Sequence, residues 1–203
     1  HAEEIARNVP TTIVAACKHR ESAEFVQDIL MNTNLRVYVN DDMTGVELGG
    51  ALKNIIAVCA GIADGMELGD NTKAALMTRG LAEIARLGLA MGAESETFTG
   101  LTGMGDLIVT CTSMHSRNRR CGILIGQGIP ADEAVKRVGM TVEGCSAARA
   151  ALALSREYQV EMPITEQLCA VLDGKPVGTA LVELMGRPRR HENEEIWMKE
   201  QTK

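Results

Sequence analysis

The sequence predicts a mainly helical protein that begins with a short strand–helix–strand unit. Aromatic residues make up 2% of the 203 residues and hydrophobic residues 45%, so the core has to be built from Leu, Ile, Val, Ala and Met, which favours closely packed helices. From Thr44 onward the apolar residues recur at helical spacing almost to the end of the chain. Before Thr44, β-branched and alternating runs are typical of strands.

The first 40 residues are expected to form the edge of a larger α/β domain. In order, they contain a short helix at 3–8, a strand at Thr11–Cys17, a helix at Glu21–Met31 and a strand at Leu35–Val39. This βαβ-like unit is too small to make a stable sheet alone. Because the chain also begins at His1 without an initiator Met, we expect it to be a fragment whose α/β domain is truncated.

The helix predicted over Leu48–Ala63 organises the rest of the chain. It is apolar or small on every side apart from Lys53 and Asn54, and a helix of this kind is buried. The amine of Lys53 is therefore expected in a partly desolvated place, where a lysine is a candidate proton carrier. The alternative is a lysine whose long side chain extends along the helix to reach water.

Further helices are predicted up to Met185. They span Asn71 or Thr72 to about Met91, Ser116 to Gln127–Gly128, Pro130 to Gly139, Glu143 to Tyr158, Pro163 to Gly174, and Val177 to Met185. Glycines from Gly61 onward are expected to interrupt the central helix, and Gly100–Gly105 is predicted as a loop. Arg79, Glu83 and Arg86 form a polar stripe on the second long helix. Residues 191–203 are expected to be a flexible charged tail.

Composition argues against several classes of function. The net charge of −6, without a long basic run, does not fit nucleic-acid binding. The six cysteines show no CxxC spacing and the histidines do not cluster, so neither a metal site nor a serine–histidine triad is predicted. We expect the thiols to be reduced core residues of a cytoplasmic protein. No apolar run is expected to span a membrane, and no signal peptide is visible.

The glycine-rich run Gly100–Asp106 invites comparison with a dinucleotide-binding fingerprint. That fingerprint requires a preceding strand and a third glycine, whereas here no strand is predicted and Ile108 stands at the third position. A tight turn that presents Asp106 and Thr110 toward a cleft fits the glycines better. Asp106 is then either a helix cap or turn residue, or a carboxylate that orients Lys53.

The run Ser116–Arg120 gives a sharper signal for anion binding. With Ser116 at a helix N-cap, Arg117 and Asn118 lie in the first turn, where free backbone N–H groups and the helix dipole favour an anion. A fixed guanidinium at this place can bind a phosphate through two hydrogen bonds. The alternative is a solvated charge run. Glu143 by itself is a first-turn carboxylate that suits the dipole of its own helix.

Several separated motifs resemble the glycerol-3-phosphate dehydrogenases, most closely the bacterial NAD(P)-dependent soluble enzymes. They occur in the family's order at Gly49–Ala57, Gly69–Leu76, Gly105–Cys111, Ser116–Arg119, Val142–Gly144 and Glu161–Glu166. His1–Glu4 also resembles the segment that follows the family's Gly-Pro-Ser/Thr turn. The likeness covers nearly the whole chain.

The resemblance implies an all-helical C-terminal dehydrogenase domain preceded by the last strands of a truncated Rossmann domain, with the active site between the two. It implies that Lys53 is the catalytic acid/base and that Asp106 assists it. The substrate residues would be Lys53, Asn54, Asp106, Thr110, Ser116, Arg117 and Asn118. The NAD or NADP residues would be Ala2, Arg117, Thr141 and Glu143, although the family often has valine at position 141.

The resemblance also implies what the protein would do. It would interconvert sn-glycerol 3-phosphate and dihydroxyacetone phosphate by hydride transfer, supply glycerol 3-phosphate for phospholipid synthesis, and pair as a homodimer in the cytoplasm. Because the family's GxGxxG and second lysine are not in this chain, we expect the 203-residue piece itself to be inactive. Residues 1–40 would be the edge of the nucleotide domain and residues 41–190 the helical catalytic domain.

Two rival interpretations remain at the level of sequence. One is another dehydrogenase of similar helical architecture, such as a 3-hydroxyacid or 6-phosphogluconate enzyme, although the run Ser116–Arg120 favours a small phosphate ester. The other is a helical assembly module in which Lys53 is only structural.

Overall fold

The structure, a computed structural model, describes residues 2–188, with side chains from Glu4 onward. It begins with a small α/β unit made of α1 (Ala2–Ala6), β1 (Thr11–Ala16), α2 (Arg20–Leu30) and β2 (Leu35–Asn40). The two strands pair in parallel, with Thr11 opposite Leu35 and Ala16 opposite Asn40. The predicted strand–helix–strand unit is confirmed. The tail predicted at 191–203 lies outside the described residues.

A helical region follows β2 directly. Its helices are α3 (Met43–Gly65), α4 (Asp70–Ala90), α5 (Ser95–Thr99), α6 (Asp106–Thr112), α7 (Arg117–Gly126), α8 (Ala131–Val138), α9 (Glu143–Glu157), α10 (Pro163–Leu172) and α11 (Val177–Met185). The predicted mainly helical fold class is confirmed. The helices predicted from Ser116, Pro130, Glu143, Pro163 and Val177 lie close to their expected limits.

The central helix α3 begins earlier than its apolar run because Asp42 caps it. Asp42 Oδ1 accepts a hydrogen bond from Gly45 N at 2.8 Å, which satisfies one of the free N–H groups of the first turn. Its other oxygen accepts from Glu94 N at 2.9 Å and from Thr97 Oγ1 at 2.7 Å. One buried carboxylate therefore joins the start of α3 to the region of α5.

The glycines near the end of α3 do not end the helix; they allow α7 to approach it. A Cβ on Gly61 would lie 2.1 Å from Arg119 O, and one on Gly122 would lie 2.0 Å from Val58 O. One turn further along, Gly65 and Gly126 face each other in the same way. Only glycine permits two helix backbones to pack this closely. We call these four glycines the α3–α7 seam.

The expected loop at Gly100–Gly105 is wrong, because Leu101–Gly105 forms a π-helical turn that runs directly into α6. Gly105 N donates to Gly100 O at 3.1 Å, the longer-range bond of a π-turn. A Cβ on Gly103 would lie 2.0 Å from Phe98 O. This glycine therefore serves close packing against the buried Phe98 rather than a flexible loop.

The polar stripe predicted on α4 does not lie wholly at the surface. Glu83 is 1% exposed and points at the first turn of α10. Its Oε1 accepts from Ile164 N at 2.6 Å, and its Oε2 accepts from Thr165 N and Thr165 Oγ1, both at 3.2 Å. Glu83 thus caps a helix that is remote in sequence.

The helix α3 also departs from the expectation that no apolar run approaches a membrane span. Its 23 residues have a mean hydropathy of 1.5 over the most apolar window, which by length and composition would suffice to cross a bilayer. However, 61% of that window is buried inside the protein. The side chains of Ile55, Ile56 and Val58 are almost wholly inaccessible. We conclude that α3 is the core helix of the helical region.

Candidate active site

A cleft of about 320 Å³ opens where α3, α6, α7 and the start of α9 meet. Its volume lies in the range of small-molecule sites. The cleft is lined by Gly50, Lys53, Asn54, Asp106, Val109, Thr110, Ser113, His115, Ser116, Arg117, Asn118 and Glu143. Every residue that the sequence predicted to contact substrate is among them. Residues from four separate stretches of sequence therefore share one concave surface.

Lys53 projects from α3 toward the start of α6. Its Nζ donates a hydrogen bond to Asp106 Oδ2, and the two side chains form an ion pair. The side chains are 18% and 19% exposed, so the pair is largely shielded but reachable from the cleft. The alternative of a lysine that extends into bulk water is wrong. Because α6 begins at Asp106, the glycine-rich turn before it sets where this carboxylate lies.

Two asparagines form the floor of the cleft. Asn118 Nδ2 donates to Asn54 Oδ1 at 2.8 Å, and Asn118 Oδ1 accepts from Gly144 N at 2.8 Å. Asn54 Nδ2 lies 3.4 Å from both Gly50 O and Glu143 Oε2. Both asparagines are buried, so these bonds satisfy groups that would otherwise be costly to bury. The network fixes α3, α7 and the first turn of α9 relative to one another.

Arg117 and Glu143 face each other at the rim. The closest approach is 3.7 Å, between Arg117 Nη2 and Glu143 Oε1, with side chains 36% and 57% exposed. A pair this open and this long contributes little to stability. Its guanidinium is therefore available to a ligand at little energetic cost, as an anion-binding residue requires.

Ser116 and Thr110 have clear local roles. Ser116 is the N-cap of α7, as predicted, and its Oγ accepts from Arg119 N at 3.3 Å. Thr110 Oγ1 donates to Asp106 O at 2.6 Å and lies 3.4 Å from Asp106 Oδ1. The Thr110 hydroxyl therefore lies close to the carboxylate that pairs with Lys53.

One predicted cofactor residue, Thr141, is not among the described residues that line the cleft. Thr141 is exposed and precedes Val142, the N-cap of α9. The side chain of Ala2 lies outside the described residues, whose side chains begin at Glu4.

Sequence reasoning missed part of the cleft lining. Gly50 and Val109 line the cleft because they share a face of α3 and of α6 with the predicted residues. Ser113 lines it because it directly follows α6. His115 also lines it, and its backbone N–H donates to Ser113 Oγ at 3.1 Å. The sequence analysis did not predict the helix at residues 106–112, and without it the positions that share a face with Asp106 could not be identified.

No cysteine is among the described residues that line the cleft. All six are free thiols, and burial raises the pKa of Cys111 to about 12. Burial likewise raises the pKa of the Cys59 thiol well above its ordinary value. Among the described residues, no group of three or more His, Cys, Asp or Glu side chains is placed to hold a metal ion.

Comparison with known proteins shows that this chain is similar to dehydrogenases. A glycerol-3-phosphate dehydrogenase [NAD(P)+] from Moorella thermoacetica is 59% identical over 195 residues, which are 96% of this chain and 58% of that protein. One from Bacillus pumilus is 57% identical over 197 residues, 97% of this chain and 57% of that protein. The crystal structure of glycerol-3-phosphate dehydrogenase from Coxiella burnetii has a TM-score of 0.88 and 42% identity, covering 92% of this chain and 58% of that one.

The family model for the NAD-dependent glycerol-3-phosphate dehydrogenase C-terminus matches residues 42–182. The chain belongs to this family, as its motifs predicted. It spans about 58% of the length of the curated relatives it matches.

Proposed function

We propose that this chain is the substrate-binding and catalytic part of an NAD(P)-dependent glycerol-3-phosphate dehydrogenase, which interconverts sn-glycerol 3-phosphate and dihydroxyacetone phosphate. The observation that carries the proposal is one cleft that holds a shielded lysine–carboxylate pair and an available arginine. A proton carrier and an anion anchor are the two groups that reduction of a small keto phosphate requires.

The proton step is assigned to Lys53. In the reducing direction its ammonium donates a proton to the carbonyl oxygen of dihydroxyacetone phosphate while the carbonyl carbon gains a hydride. In the oxidising direction the neutral amine accepts the proton of the C2 hydroxyl. Asp106 holds the Lys53 amine in place through their ion pair.

Substrate orientation is assigned to the rest of the cleft. Arg117 binds the phosphate, helped by the N-terminus of α7, where Ser116 caps the helix. Thr110, Asn54 and Asn118 line the same cleft as Arg117 and Lys53, where they can hydrogen-bond substrate oxygens.

The cofactor, NAD or NADP, supplies or accepts the hydride when bound. The donor set at the cleft rim fits a nicotinamide carboxamide, since Arg117 offers N–H donors and Glu143 offers an acceptor. Thr141 and Ala2 are proposed to contact the cofactor as well. These residues bind and orient; they do not replace the phosphate-binding strand–helix unit of a nucleotide domain.

We further propose that residues 1–40 are the edge of such a nucleotide domain and that residues 41–190 form the helical catalytic domain. The enzyme would act as a cytoplasmic homodimer and supply glycerol 3-phosphate for phospholipid synthesis. Because the described part contains a two-stranded sheet, we expect the 203-residue chain alone to bind cofactor weakly and to show no turnover. Robust NADH-dependent reduction of dihydroxyacetone phosphate by this chain would contradict that expectation.

The test of the activity is Lys53→Ala in a chain extended to the full length of its relatives. We expect kcat for dihydroxyacetone phosphate reduction to fall by roughly 10²–10⁴-fold, because a positioned acid/base contributes that much. NADH oxidation measured at 340 nm gives the rate, and circular dichroism checks that the variant is folded.

Lys73→Met is the matched control, because it removes a lysine from the neighbouring helix α4 without touching the cleft lining. Turnover that survives Lys53→Ala in a folded protein would overturn the assigned role. A screen of the unmutated enzyme with a 3-hydroxyacid and with 6-phosphogluconate, in the presence of NAD or NADP, separates the proposed substrate from those of related dehydrogenases.

A further inference from the structure

Two charged residues on one face of α3 link this helix to the two ends of α6. Lys53 and Asp64 are 11 residues apart, which is about three helical turns, so both side chains leave α3 on nearly the same side. Lys53 pairs with Asp106 at the first residue of α6. Asp64 lies about 16 Å further along the axis, near the end of α6.

Asp64 is joined to the end of α6 through Arg119. The Arg119 guanidinium binds Asp64 Oδ2 with Nε at 2.8 Å and with Nη2 at 2.7 Å. Its Nη1 donates to Thr112 O at 3.1 Å and also contacts Met114 Sδ. Thr112 is the last residue of α6, where a helix has carbonyl groups without an intrahelical partner. One side chain thus links α3, the end of α6 and the connection that follows it.

The cluster is shielded and its charges are matched. The Arg119 side chain is 12% exposed, and Lys73 Nζ adds a second cation 2.9 Å from Asp64 Oδ1. Burial alone would raise the pKa of Asp64, but the hydrogen bonds from Lys73 and Arg119 outweigh it and hold that pKa below its usual value. A carboxylate that remains charged near neutral pH keeps the Arg119 guanidinium in one orientation.

Arg119 is not required to hold α7 against α3. The α3–α7 seam already fixes these helices, since backbone atoms meet at Gly61 and Gly122 with no room for a side chain. The contacts that the Arg119 side chain adds to the seam are with the end of α6 and with the connection at residues 113–116. Ser113, His115 and Ser116 of this connection line the cleft beside Arg117.

We propose that Arg119, anchored by Asp64, is a positioning residue that fixes residues 112–116 and so keeps the phosphate end of the cleft in its binding geometry. The inference rests on the proposed function for the nature of the ligand. Arg119 does not line the cleft and acts through the connection, so its loss weakens substrate binding more than the chemical step.

The test compares Arg119→Lys with Lys73→Met in the full-length enzyme. Lysine keeps the charge beside Asp64 but lacks the planar fork that reaches Asp64 and Thr112 O at once. Lys73→Met removes the other cation on Asp64 and leaves the link to α6 intact. Both variants are checked for folding by thermal unfolding, and hydrogen exchange of residues 112–117 is followed by mass spectrometry.

For Arg119→Lys we expect KM for dihydroxyacetone phosphate to rise about tenfold, with kcat and KM for NADH within roughly twofold of the unmutated enzyme. Amide exchange in residues 112–117 rises as well, while Lys73→Met changes neither quantity. Unchanged exchange in a folded Arg119→Lys variant, or an equal rise in KM for Lys73→Met, would overturn the proposal.

The two proposals fail in distinguishable ways. An unmutated full-length enzyme without turnover of dihydroxyacetone phosphate overturns the proposed function. The exchange comparison needs no substrate, and it still decides whether Arg119 fixes residues 112–116.

Discussion

The two sides of the helical core stabilise their shielded carboxylates in different ways. On the cleft side, Asp64 and Asp106 each face a cation at hydrogen-bonding distance. On the far side, Glu83 is bonded to two backbone N–H groups and one hydroxyl at the start of α10. The first arrangement matches charge with charge, and the second places an acid at a helix N-terminus.

The consequence appears in the direction of the pKa shifts. The pKa of Asp64 is lowered, since its hydrogen bonds to cations outweigh burial. Burial raises the pKa of Glu83 to about 7, because the backbone donors only partly offset the loss of water. Asp64 therefore stays charged in the physiological pH range, whereas Glu83 on the far side can become neutral within it.

The two sides also differ in how their helices meet. At the α3–α7 seam the backbones touch, and nothing flexible separates them. Between α4 and α10 a side chain, Glu83, spans the gap. We therefore expect the cleft side to be intolerant of added volume and the far side to be sensitive to pH.

The largest effect is expected from Gly122→Ala. The new Cβ would lie 2.0 Å from Val58 O and 2.8 Å from Ile62 N, and neither backbone atom can move without displacing α3. We expect the free energy of unfolding to fall by roughly 3 kcal/mol or more. Urea unfolding of the 203-residue chain, followed by circular dichroism, measures it.

The matched control is Gly178→Ala in α11, where a Cβ would meet nothing within 4 Å. There the same substitution should be neutral or stabilise the protein by up to about 1 kcal/mol. Equal stability losses at positions 122 and 178 would show that the close backbone approach at the seam does not govern this interface.

The second prediction concerns pH and Glu83→Gln. In the unfolded chain this acid has a pKa near 4.5, whereas in the folded protein it is about 7, so between these values the folded state binds more protons. The stability that Glu83 contributes is therefore fully present below about pH 4.5 and is lost as the pH rises through about 7. The full effect is roughly 3–4 kcal/mol, taking about 1.4 kcal/mol for each unit between the two pKa values.

Glutamine cannot titrate, so the variant lacks this dependence. Relative to the unmutated chain, its free energy of unfolding should improve by about 3 kcal/mol between pH 4.5 and pH 7.5. Urea unfolding at a series of pH values follows the difference, in which the titration of Asp64 and the other shared acids cancels. Parallel stability curves for the two proteins would show that Glu83 keeps an ordinary pKa in the folded state.

Local patterns in the sequence predicted much of this architecture and of the cleft lining. The apolar run after Leu48 identified the core helix and the unusual position of Lys53, and Ser116 identified the start of α7. Motif resemblance assigned Asp106, Asn118 and Glu143 to the same site. These features depend on spacing within one helix or on residues that stand together in sequence.

What could not be predicted depends on contacts between distant residues. The seam glycines resemble helix breakers until α7 is seen against α3, and the turn at Leu101–Gly105 is set by packing on Phe98. Glu83 looks like part of a surface stripe until its partner, 81 residues away, is known. The Asp64–Arg119 link likewise joins residues 55 positions apart.

The smallest effect on the cleft side is expected from Ser116→Ala. The hydroxyl accepts one hydrogen bond, from Arg119 N at 3.3 Å, at the N-cap of α7. Removing a cap of this kind typically lowers the free energy of unfolding by about 1 kcal/mol, and Ser116→Thr should retain most of it. If the seam holds α7, as the comparison indicates, urea unfolding will place Ser116→Ala well above Gly122→Ala in stability. A loss for Ser116→Ala as large as that for Gly122→Ala would mean that the cap, rather than the seam, holds the amino-terminal end of α7.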